Sequence, residues 1–134
     1  MFVFGRKSLE NREGVDQRLI EIDDLALEIS TIDFGHPRFS GLRTLQDQQA
    51  LFESGNSKCD GIDKKSKHQS GRALDFYAFV EGEATWEKTY MAMIGAAYLQ
   101  SACMLGYKIS WGGFWQDSPG QMFGWDMGHV ELDD

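Results

Sequence analysis

Apolar residues recur at helical spacing in three stretches of the chain. Leu19, Ile22, Ala26 and Ile29 share one face and predict a helix over 16–30. A second helix is predicted over 44–54: Thr44 can cap its start, Asp47 sits in its first turn and Gly55 follows its end. The third, over 86–105, carries a stripe of Tyr90, Met93, Ile94, Ala97 and Tyr98, with Thr85 as its cap and Gly106 as its stop. Met91, Met93 and Met104 belong to this helix and are read as core. Elsewhere the period shortens to two. Over 73–80, Leu74, Phe76, Ala78 and Val80 take one face, and Ala73, Asp75 and Tyr77 the other. Further strands are predicted over 107–111 and 128–132. The expected architecture is α+β, with a small antiparallel sheet packed against about three helices.

With 134 residues, no internal repeat and no Pro/Gly/Ser-rich linker, the chain is expected to form one domain over 1–134. That length supports a core without disulfide or metal staples. Cys59 and Cys103 show no metal-ligand spacing and are read as free, partly buried thiols. A net charge of −8 and a pI of about 4.8 argue against nucleic acid and against anionic membranes as partners. The N-terminal residues lack the apolar run of a secretory signal, and no stretch is apolar enough to span a bilayer. The expectation is a monomer, cytoplasmic when made and not inserted in membrane.

The chain has three histidines, and two of them lie in polar, structured contexts. Asp75 interrupts the apolar run of its strand, a costly place for a carboxylate unless it is solvated, paired or metal-bound. A turn at Ser70-Gly71 could fold His68 back beside Asp75. His129 opens the last strand, on the face opposite Val130 and Leu132, and a neighbouring-strand arrangement could bring it next to Asp75. Two imidazoles and one carboxylate suit a catalytic zinc ion, because three protein ligands leave a fourth position for water. Hydrolysis then needs a base, for which Asp126 is near in sequence, and a cation for the developing oxyanion, for which Arg43 is the candidate. The same pattern also fits a surface His68, a paired Asp75 and an edge His129, so spacing alone leaves both readings open.

The motifs add a resemblance. Ser66-x-His68-x-x-Gly71-x-Ala73-x-Asp75 followed by Asp126-x-x-His129 resembles the D-alanyl-D-alanine carboxypeptidase family of zinc peptidases, whose superfamily includes the hedgehog signalling domain. Within it the sequence is most similar to the L-alanyl-D-glutamate endopeptidase branch, which includes phage endolysins. Gly41-Leu42-Arg43-Thr44, Gln48, Asp60-Gly61, Leu105-Gly106-Tyr107 and Trp111-Gly112-Gly113-Phe114-Trp115 extend the likeness over most of the chain. The resemblance implies zinc ligands at His68, Asp75 and His129, a general base at Asp126 and a substrate-polarising Arg43. An aspartate base, where the carboxypeptidases proper carry glutamate, favours the endopeptidase branch. One departure is Gly128, where relatives usually have proline; glycine there is expected to loosen the His129 ligand or alter the loop.

The implied function is hydrolysis of the peptide stem of bacterial peptidoglycan at the L-Ala–D-Glu bond. The setting would be a phage or prophage endolysin that accumulates in the cytoplasm and reaches the wall with a holin's help. The alternatives are a D-alanyl-D-alanine carboxypeptidase or dipeptidase, and a zinc-stabilised binding module without turnover. Other polar and aromatic residues carry weaker expectations. His36, before Pro37, is read as a surface or substrate-rim residue, and Glu131 either as an orienting partner of His129 or as a solvated edge carboxylate. Lys64, Lys65 and Lys67 are read as a solvated loop, Trp111 as core, and Phe114 and Trp115 as candidate cleft residues.

Overall fold

A computed structural model describes all 134 residues. Helix α1 spans Arg6–Asn11, α2 Gln17–Ile29, α3 Leu45–Glu53 and α4 Lys88–Leu105. Strands β1 (Asp33–Gly35), β3 (Tyr77–Val80) and β4 (Glu83–Thr85) form one antiparallel sheet in the order β1-β3-β4. Strands β2 (Ala73–Asp75), β6 (His129–Leu132) and β5 (Ile109–Trp111) form a second, in the order β2-β6-β5. No helix is long and apolar enough to cross a membrane.

The α+β class stands, with differences in detail. The single strand expected over 73–80 is two short strands in two different sheets. The break falls at Phe76, whose N–H bonds to Gly128 O, while the Asp75 N–H bonds to Ser40 O rather than to a strand. Alternation is unchanged across the break, with Leu74, Phe76 and Ala78 all buried, so the pattern carries no sign of the change of partner. Short α1, β1 and β4 had no periodic signal. In α3 the cap is as expected, with Thr44 and Asp47 exchanging side-chain and backbone bonds. In α4 it is not: the helix starts after Glu87, no side chain caps it, and Thr85 Oγ accepts instead from the Glu87 N–H. Its buried face is also rotated from the predicted stripe. Met91, Ile94, Ala97, Tyr98 and Ala102 face inward, whereas Met93 and Met104 are exposed. Cys103 is exposed and Cys59 half-buried, and both are free thiols.

The core lies where α2 packs on α4. Leu19, Ile22 and Ala26 meet the α4 face, and Phe34, Phe76 and Tyr98 close it with tilted and edge-on ring contacts. Within this apolar mass sits a fully buried carboxylate, Asp23. It accepts hydrogen bonds from Arg12 Nη1 at 2.7 Å, Tyr98 OH at 2.5 Å and His36 Nε2 at 2.9 Å. Burial alone would raise the Asp23 pKa. The charge and hydrogen bond of His36, with the bonds from Tyr98 and Arg12, outweigh that and lower it. His36 is thus no rim residue: it is 1% exposed, and its Nδ1–H donates to Asp75 O at 2.7 Å.

Asp23→Asn should lower the unfolding free energy by about 3 kcal/mol at neutral pH, since it breaks a buried charge pair. The pH dependence has a definite sign. The folded pKa of Asp23 lies below its unfolded value of about 3.9, so this contribution is complete above that value and fades as pH falls through the folded one. Urea unfolding of both proteins should show the gap narrowing below about pH 4; a gap that stays constant on acidification would contradict the assignment.

Candidate active site

The site is assembled on the second sheet. β2 and β6 pair so that Asp75 lies directly opposite His129, which puts both side chains on one face. His68 arrives from a 3-10 turn, Lys67–Ser70, closed at each end by local chemistry. Ser66 Oγ accepts from the His68 N–H, and Gln69 Oε1 accepts from the Ser66 N–H. Gly71 follows at φ 73°, a left-handed conformation that reverses the chain into β2, as the Ser70-Gly71 turn predicted. The backbone N–H of Arg43 bonds to His68 O, so the 41–43 segment clamps the turn.

His68, Asp75 and His129 offer three ligand atoms within 4.8 Å of one another. His68 Nε2 lies 3.3 Å from Asp75 Oδ1, and His129 Nδ1 lies 2.9 Å from the same oxygen. The remaining polar atoms all have partners. His68 Nδ1–H donates to Gly41 O at 2.9 Å, His129 Nε2 faces Glu131 Oε1 at 2.9 Å, and Asp75 Oδ2 accepts from Arg43 Nη2 at 3.0 Å. Outer bonds of this kind orient histidine and carboxylate ligands and set which ring nitrogen points inward. The donor set therefore fits a metal ion, held by His68 Nε2, Asp75 Oδ1 and His129 Nδ1.

The electrostatics agree. Burial would raise the Asp75 pKa, but the two imidazoles outweigh it and hold the carboxyl well below its usual range. Burial would lower that of His129, but hydrogen bonds to Asp75 and Glu131 push it up to about 10. A metal ion held there would take the place of the proton that these carboxylates otherwise stabilise. Glu131 is an orienting carboxylate rather than a solvated one, and Lys67 Nζ, 3.1 Å from its second oxygen, holds it in place. Lys67 is thereby distinguished from the exposed Lys64 and Lys65.

Asp126 lies beside the triad, with Oδ2 3.9 Å from His129 Nδ1 and its side chain 42% exposed. Partial burial raises its pKa, and the Asp75 charge adds to the effect. Arg43 is present too, but engaged: Nη2 on Asp75, Nη1 on Gln48 Oε1 and Nε on Phe39 O. The structure thus brings together all five residues singled out from sequence. Trp115 stacks at a tilt 5.2 Å from His129 and forms a wall of the site, Phe114 is exposed against Trp111, and Trp111 is core. A cleft of about 380 Å³ opens from Asp75 and Asp126 toward Trp86, Lys88 and Trp125.

The sequence reading missed the support behind Asp75, where His36 bonds its carbonyl and Asp23 bonds His36. A signal for it existed. Asp23 falls on the Leu19, Ile22, Ala26 stripe, where an acid is out of place unless paired.

Comparison with known proteins is consistent along the whole chain. A family model described as phage L-alanyl-D-glutamate peptidase matches residues 1–132. The L-alanyl-D-glutamate peptidase of Escherichia phage T5 is 30% identical, over 98% of each chain. Among solved structures, the Serratia marcescens L-Ala D-Glu endopeptidase ChiX superposes with a TM-score of 0.79 at 30% identity, covering 97% of this chain and 90% of its own.

The structure leaves no room for a side chain at Gly128. A Cβ there would sit 2.6 Å from Phe76 O and 3.0 Å from the Met91 methyl, against a carbonyl that cannot yield without moving the strand break. Gly128→Ala should therefore displace His129, lower stability by about 1–3 kcal/mol and weaken metal binding. Thermal unfolding and metal titration of the variant would show it; unchanged values for both would mean that the backbone relaxes freely there.

Proposed function

Because the chain belongs to the phage L-alanyl-D-glutamate peptidase family, we propose that it cleaves the L-Ala–D-Glu bond of the peptidoglycan stem with one zinc ion held by His68, Asp75 and His129. The observation that carries this reading is the convergence of those three ligand atoms within 4.8 Å, with every outward-facing atom already bonded. The reading takes residues 1–134 as one catalytic domain. Zinc suits two imidazoles and a carboxylate with an open position, and when bound it supplies Lewis acidity toward water and the scissile carbonyl.

The chain's own residues do the rest. Asp126 accepts the proton of the attacking water and returns it to the departing amine of D-glutamate. Its raised pKa and its partly exposed position over the cleft suit both halves of that task. Arg43 holds Asp75 at its second oxygen, and its guanidinium charge lies next to the reacting centre, where it favours a developing oxyanion. Trp115 shields the His129 side from solvent. Cytoplasmic accumulation followed by release to the wall fits this function.

Digestion of purified peptidoglycan should yield fragments with a new D-Glu amino terminus by mass spectrometry, and chelation should abolish them. Free terminal D-Ala instead would point to the carboxypeptidase alternative. Asp126→Asn should retain zinc and lose turnover by about 100-fold or more; His68→Ala should lose metal and activity together. Full activity in Asp126→Asn would remove that residue from the mechanism.

A further inference from the structure

We propose that Lys88 recognises the free carboxylate of the D-glutamyl residue and thereby sets the preference for which stems are cut; this rests on the function proposed above. D-Glutamate carries two carboxyl groups. In a peptide stem its nitrogen belongs to the scissile amide, one carboxyl carries the next residue, and the other stays free and charged. The group that returns a proton to the departing nitrogen must lie beside this residue. With Asp126 in that role, the D-glutamyl residue with its free carboxylate enters the cleft that Asp126 lines.

That cleft is acidic at one end, with Asp75 and Asp126, and Lys88 is the one cation among its lining residues. Lys58 and Lys67 are held by Asp117 and Glu131, but Lys88 has no carboxylate partner in the chain. Its ammonium lies against the loop at Gly124, 3.5 Å from where a Cβ on that residue would project. Lys88 is also the first residue of an 18-residue helix whose N-cap, Glu87, makes no side-chain bond to the first turn. The unsatisfied N–H groups and the helix dipole therefore add positive potential at the same end of the cleft. Trp86 and Trp125 flank it and offer apolar walls to the glutamyl methylenes. An unpaired cation, a helix N-terminus and apolar walls, in the cleft that the proton donor also lines, match a short residue that bears a free carboxylate. They do not match the uncharged carboxamide that replaces it in amidated stems.

The test uses two synthetic stems, one with the free carboxylate and one with that group as carboxamide, each assayed for cleavage at L-Ala–D-Glu. Wild-type enzyme should have the lower KM on the carboxylate stem. Lys88→Met should raise KM for that stem about tenfold with kcat little changed, and leave the carboxamide stem unaffected. Lys88→Arg should keep the preference. Equal losses on both stems, or none on either, would overturn the assignment of Lys88 while leaving the peptidase reading intact. Wild-type enzyme that opens neither stem at this bond would overturn both.

Discussion

The register that sets Asp75 opposite His129 across two antiparallel strands is the constraint on which the site depends. A slip of β6 by one residue would turn His129 to the opposite face and set Gly128 or Val130 opposite Asp75 instead. Asp75 is accordingly held from every side. Its carboxylate meets His68, His129 and Arg43, its N–H bonds to Ser40 O, and its carbonyl accepts from His36. A carboxylate so held costs little further reorganisation on meeting a cation, because its position and its ionised state are already set.

The buried polar group in the helical core extends the same logic inward. Asp23 would destabilise α2 if left alone among Leu19, Ile22 and Tyr98. Arg12, Tyr98 and His36 satisfy it, and both ring nitrogens of His36 face acceptor oxygens, one on Asp23 and one on the Asp75 backbone. Packing of α2 on α4 is thus coupled to the position of a site residue through two side chains. The stability of the core and the geometry of the site are not separate properties in this molecule.

The candidate groups were legible in the residues, but spacing left their roles open and the family resemblance implied them. His68, Asp75, Asp126, His129 and Arg43 are polar groups at positions where apolar or loop patterns made them conspicuous. The helices of α2 and α3 were legible because their stripes and caps are local. The failures were equally physical. Alternation over 73–80 reads the same whether one strand or two carry it, since a period of two records which face is buried and not which strand lies alongside. Met93 and Met104 were misplaced because α4 is apolar around most of its surface, so the stripe alone did not select the face that packs. Gly128 was read for its backbone freedom, whereas its neighbours, Phe76 O and Met91, come from distant parts of the chain.

Local chemistry therefore determined the α+β class, the capped helices, the Ser66-closed turn and the identities of the groups available for metal and proton work. Tertiary structure alone decided that His36 is buried behind Asp75 and that Arg43 is bonded to it. It also decided that Glu131 and Lys67 orient His129, and that Lys88 and Asp126 line one cleft. The reason is that caps, turns and periodic faces are set by residues a few positions apart. Each of the latter contacts joins segments brought together only when the sheets and helices have packed.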